Sequence, residues 1–352
     1  MWKYLLTYSV PLAVFLSLKG EGWQTYLALI YLFGLVPFLE LIFQGSTENL
    51  DEEAENKEAN NKMYDWILYS LVPMQYLLWY YFLQQMADPS ILWWERMGMI
   101  VAFGLSCGIL GINAAHELGH RTKAYERWMS KILLASTLYL HFFIEHNKGH
   151  HLRVATPDDP ASARRGENVY AFYLRSIRDS WFSAWEIQNK ELKKTGHRFW
   201  SLQNEMLLFQ IVQVLICVAI GLVWGYAVLI WYFVAAVIGI HLLETVNYIE
   251  HYGLQRKVGA SGFFERTMPV HSWNSNHPLG RMVLLELTRH SDHHYQATRK
   301  YQVLRHFDES PQMPTGYPGM MLLSLIPPLW FAVMHKAIQD YKNNYQQGVD
   351  LV

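Results

Sequence analysis

Residues 91–121 read ILWWERMGMIVAFGLSCGILGINAAHELGHR. An apolar run fills about 91–115, and a helix needs about 20 such residues to cross a bilayer. The run closes on His116-x-x-x-His120, two imidazoles one helical turn apart and on one face. A membrane helix that delivers a pair of metal-ligating side chains at its end sets the reading of the rest of the chain. It predicts an all-α integral membrane protein with a histidine-rich cap.

Five more apolar stretches, at about 2–18, 23–43, 65–86, 206–224 and 226–247, bring the expected transmembrane helices to about six. The first is short and contains Pro11, which fits a tilted or partly interfacial helix, and Pro73 kinks the third. Segment 128–144, with His141, reads as interfacial or packed beneath the site. The 352 residues are 51% hydrophobic and only 17% charged, against about 25% charged in soluble domains. Trp79-Tyr80-Tyr81, Trp93-Trp94 and Trp231-Tyr232 crowd the span ends, as interfacial belts do. The first apolar run has no small-residue cleavage site after it and is read as a retained helix. The whole of 1–352 is expected to be one membrane catalytic domain, with catalytic segments 116–205 and 248–320 outside the lipid.

Charge placement gives the expected orientation. Of 29 Lys and Arg, only Lys19 and Arg96 fall on the side of the loops near 19–22, 87–90 and 225. The positive-inside rule then places both termini and the histidines on the cytoplasmic side of the inner membrane. Net charge is −1 and names no partner. Residues 121–205 carry fourteen Lys and Arg against nine Asp and Glu, which fits anionic headgroups or a docking face for an acidic partner. The acidic segment 48–65 reads as an exposed, mobile linker. Cys107 and Cys217 lie in apolar runs, with no CxxC pair. Gly104, Gly108 and Gly111 fit close helix packing or the wall of a substrate channel.

Two further clusters repeat the first: His146-x-x-x-His150-His151 and His290-x-x-His293-His294, with His251 in NYIEHYG. His146 and His150 share a helical face, His151 points about 100° away, and His290, His293 and His294 form one stripe. Nine imidazoles exceed what one ion accepts, so two metals are expected. Imidazole suits Zn, Cu, Fe or Ni. Glu117, Glu145, Glu250 and Asp292 flank the ligands, where carboxylates orient metal-bound imidazoles. Glu244 and Asn247, spaced with His241 and His251 along one helix face, form a polar ladder toward the site or a structural seam. His271 and His277 are polar neighbours, and His197, His306 and His335 read as surface groups. His116-Glu117-Leu118-Gly119-His120 matches the HExxH zinc-protease motif. That reading leaves most of the histidines without a role, and zinc has no redox chemistry. Two irons give all nine a purpose, because splitting O2 takes several electrons.

The spacing HxxxH, HxxxHH, HxxHH resembles the membrane-bound diiron superfamily of desaturases, hydroxylases and monooxygenases. HELGHR at 116–121, EHNKGHH at 145–151, TPDDPASARRGE at 156–167, NYIEHYGL at 247–254, HSWNSNH at 271–277, RHSDHH at 289–294 and PTGYPGM at 314–320 narrow it to the alkane 1-monooxygenases. The resemblance runs from about residue 100 to 320. It implies a six-helix enzyme that hydroxylates the terminal carbon of n-alkanes from the bilayer, with O2 as co-substrate and two non-haem Fe ions. Electrons would come from NAD(P)H through a reductase and a rubredoxin, the latter a separate protein here. The implied ligands are His116, His120, His146, His150, His151, His251, His290, His293 and His294. Thr288 and Tyr295 depart from the family's usual residues. The competing expectations are a fatty acyl desaturase, an aromatic-methyl (xylene-type) monooxygenase and, from another class, a zinc protease.

Overall fold

The computed structural model describes residues 2–43, 45–260 and 262–345. Among these the regular structure is helical, and the extended pairings are two isolated bridges, Val258 with Phe264 and Asn274 with Gln312.

Four helices are long and apolar enough to cross a membrane: Gly22–Ile42, Trp93–Gly119, Glu205–Val223 and Tyr226–His251. Their surroundings differ. The most apolar window of Trp93–Gly119 is 89% buried, whereas that of Glu205–Val223 is 17% buried. Ile211, Val214, Leu215, Val218 and Leu222 lie exposed on the latter, more bare apolar surface than a soluble protein tolerates. The first helix is therefore a central one and the second faces lipid. Trp23, Trp93 and Tyr226 stand exposed at span ends, where amphipathic rings prefer the headgroup layer. The expected spans at 2–18 and 65–86 also form helices, Trp2–Tyr8 continued by Ser9–Lys19, and Lys62–Ala87. They are less apolar, the longer one because it is rich in tyrosine and tryptophan.

The chain divides into two compact units. The first comprises 1–32, 62–149 and 180–243. Its centre is a seam of small residues. A β-carbon on Gly104 would lie 2.6 Å from Ile238, one on Gly108 would lie 2.4 Å from Leu242, and one on Gly239 would lie 2.5 Å from Cys107. Glycine lets the two helix backbones approach, as small residues do in membranes. Gly111 likewise meets Thr137. These glycines are packing contacts. Three buried polar side chains in the same unit pair with one another: Ser106 donates to Gln75 at 2.6 Å, and Gln75 donates to Ser136 at 3.2 Å.

The second unit comprises 33–61, 150–179 and 244–352. The acidic segment behaves differently from the expected mobile linker. Asp51 caps the helix Glu52–Asn60 by accepting from the Ala54 N–H. Glu55 on that helix accepts from Arg299 at 2.5 Å and from Arg305 Nε at 2.8 Å. Opposite charges recruit the segment onto the protein. His306, expected at the surface, is buried between Asn276 and Asp308. A hydrogen-bonded polar cluster around it removes the need for water.

Candidate metal centre

In the first unit, His116 and His120 end the Trp93–Gly119 span, and His146 opens a π-helical turn, His146–His150. His120 Nε2 and His146 Nε2 lie 3.0 Å apart, and the His116 ring packs edge-on against both. Such π turns recur at functional sites. Glu117, which HExxH would make a general base, is bound by Arg121 at 2.7 Å, and Arg121 also donates to Asp65 at 3.1 Å. The buried guanidinium occupies the carboxylate, which disfavours the protease reading. Glu145, also buried, accepts from Ser183.

The second unit holds a set of four imidazole donors. His150, His251, His290 and His294 are each at most 6% exposed. Each offers a ring nitrogen, all within 4.8 Å of one another. His150 Nε2 lies 3.2 Å from His294 Nε2, and His290 Nε2 lies 3.2 Å from His251 Nε2. Nitrogens this close together could both be ligands of one ion. Four ring nitrogens gathered in a buried space are an arrangement that a cation resolves. Burial, together with the neighbouring imidazoles of His151, His290, His150 and His251, holds His294 well below the usual imidazole range. It stays neutral, the form that binds metal. The residues therefore fit a transition-metal ion.

The pattern of sharing departs from the expected stripes. His293 Nε2 faces His151 Nε2 at 3.1 Å, while His290 and His294 join the four-imidazole set. Residues i and i+4 stay together and i+3 turns away, so one short helix, His290–Tyr295, serves two donor groups. The adjacent His150 and His151 also separate, as their 100° offset predicts.

Of the flanking carboxylates, Glu250 comes closest to the donors. Its Oε2 lies 3.1 Å from His290 Nε2, and its Oε1 accepts from Tyr317 at 2.8 Å. Asp292 accepts from the Arg305 N–H at 2.8 Å and faces Arg299 Nε at 3.3 Å; burial raises its carboxyl. Glu244 accepts from Ser176 at 2.5 Å and from Asn247 at 3.4 Å. His241 bonds the Val237 carbonyl of its own helix.

One supporting residue escaped the sequence reading. Asp159 Oδ2 lies 2.9 Å from His150 Nδ1 and accepts from Ser162 Oγ at 2.6 Å. Burial pushes this carboxyl up, but the facing His150 and the Ser162 hydroxyl outweigh it and hold it low. An ionised acceptor at Nδ1 fixes the proton there and leaves the Nε2 lone pair for a metal. The signal was the Asp-Pro turn inside TPDDPASARRGE, nine residues beyond the ligand. Tyr317, in PTGYPGM, was missed in the same way.

Comparison with known proteins gives the family. The fatty acid desaturase family matches residues 91–324. The chain is 40% identical to an alkane 1-monooxygenase of Pseudomonas putida over 92% of its own length and 80% of the relative's. It is 39% identical to one of Acinetobacter baylyi, covering 88% and 76%. A xylene/toluene monooxygenase hydroxylase component of Pseudomonas putida is 30% identical, over 70% and 66%. The chain thus belongs to the fatty acid desaturase family and, within it, to the alkane 1-monooxygenases, and is an oxidoreductase.

Proposed function

We propose that this protein converts n-alkanes to 1-alkanols with O2, using two non-haem irons held by the nine histidines. Electrons come from NAD(P)H through a reductase and a separate rubredoxin. The protein spans the inner membrane about six times, with the site on the cytoplasmic side. The observation that carries the reading is the buried set of four convergent imidazoles in a chain that matches alkane monooxygenases over most of its length.

Iron bound there would supply O2 activation and oxidising power. The chain's own residues supply the rest. Burial keeps His294 neutral, so no proton competes with the metal. Asp159 holds the His150 ring and its tautomer, and Tyr317 holds Glu250 toward the donors. Burial of the four imidazoles excludes water from the site.

The test is product analysis. Purified protein in nanodiscs, with iron, rubredoxin, reductase and NADH, is given n-alkanes under ¹⁸O2. Labelled 1-alkanol is expected. Oxidation of xylene or desaturation of a fatty acyl chain, without alkanol, would replace this reading with its rival.

A further inference from the structure

The second unit carries a cavity of about 230 Å³ with no part in the chemistry above. Ser162, Arg164 and Arg165 line one side, and Gly253 and Gln255 line the other. The sides are joined by the Gly253 N–H bonded to the Ala163 carbonyl at 3.0 Å. Both lead to the four-imidazole set. Ser162 donates to Asp159 at 2.6 Å, and Asp159 meets His150 at 2.9 Å. Gly253 stands two residues after His251.

The rim is positively charged. Arg164 and Arg165 are exposed. Glu167, the nearest acid in sequence, is taken by Arg175 through two bonds of 2.7 and 2.8 Å. Among the described residues neither rim guanidinium has an ion-pair partner. Unspent charge at a concave rim, linked by two hydrogen bonds to a ligand imidazole, is what a docked electron donor of opposite charge would use.

We propose that this cavity is the docking site of the electron carrier, a small acidic redox protein that seats carboxylates on Arg164 and Arg165. Its electrons enter by Ser162, Asp159 and His150. The proposal rests on the monooxygenase reading above. Each docking would deliver one electron from the carrier's metal to an iron held by the imidazole set, the carrier being oxidised as that iron is reduced. Two dockings supply the two electrons that, with two protons and the alkane, turn O2 into one hydroxyl group and one water.

The test is the affinity of an acidic rubredoxin for the iron-loaded protein in nanodiscs of zwitterionic lipid, measured at several salt concentrations. Arg164→Glu/Arg165→Glu should raise Kd about tenfold or more and flatten its salt dependence, as removal of a complementary charge does. Arg164→Lys/Arg165→Lys should stay within about threefold of the parent, since charge is kept. Arg178→Glu/Lys190→Glu, which alters exposed charges outside the cavity, should leave Kd unchanged. Iron content equal to the parent's confirms folding. An unchanged Kd in the double Glu variant overturns the proposal. So does an equal loss in the Arg178/Lys190 variant, or, in a second set of nanodiscs containing anionic lipid, weaker association of that lipid in the double Glu variant with no loss of carrier. With a chemical reductant replacing the carrier, parent and double Glu variant should form alkanol equally. If the parent forms none, the monooxygenase reading falls, whatever the Kd.

Discussion

The residue that decides how His150 presents itself is Asp159. Its carboxylate is fully buried and accepts from both Nδ1 of the ligand and Ser162. Partners of this kind are typically worth about 10–100-fold in metal affinity. Asp159→Asn should keep the fold and lose iron that much more readily to a competing chelator. Equal retention would mean that the ring is held by its helix alone. At this scale the ligands were legible and their supports were not. Imidazoles at intervals of three and four announce themselves through helical period. A carboxylate in a turn nine residues away has no period, and a tyrosine such as Tyr317, 67 positions from Glu250, has no sequence relation to its partner at all. The split of His293 from His290 and His294 also lay beyond the pattern, because it depends on what each face meets.

Among the elements, the glycine seam and the acidic helix make opposite predictions from sequence. Gly104 and Gly108 were legible as small residues, and their place against Ile238 and Leu242 decides between packing and a channel wall. Gly239→Ala would press a methyl against Cys107 and the Gly108 backbone. It should cost about 1–3 kcal/mol, the usual penalty of overpacking. Gly221→Ala meets only ordinary contacts beyond 3.7 Å and should be neutral or gain up to about 1 kcal/mol from helix propensity. Thermal unfolding of the two variants side by side reads this difference. The helix Glu52–Asn60 looked like a solvated linker because its charges are locally unbalanced. Its balancing cations, Arg299 and Arg305, lie far off in sequence. Glu55→Ala strips Arg299 and Arg305 of that carboxylate and loosens the pair beside Asp292. The pair is partly exposed, so the loss should be about 2 kcal/mol, short of the 3–5 kcal/mol of a fully buried pair. A lowered Tm with intact helix content would show it.

Over the whole molecule, hydropathy made the lipid-spanning character plain, while the tyrosine-rich Lys62–Ala87 shows where it blurs. The same burial that brings histidines together makes the protein sensitive to acid. His271, His277, His294 and His306 are all held below the ordinary value of 6.5, chiefly by burial. In the unfolded chain they protonate near 6.5, whereas in the folded chain they resist. Below about 6.5 the unfolded state therefore binds more protons, and stability falls as pH falls. Iron-free protein should lose Tm steadily from pH 6.5 to 5.5 and change little from 7 to 8; a flat profile would mean that these rings are solvated.

The account's central claim is that His150, His251, His290 and His294 converge to hold a redox-active ion. Its most direct test is metal analysis with Mössbauer spectroscopy on ⁵⁷Fe-grown protein, comparing the parent with His294→Ala. The account predicts two irons per chain in the parent, with iron lost from the variant and the spectrum of the remainder changed. Zinc in place of iron, or a variant with full iron content and an unaltered spectrum, would contradict it.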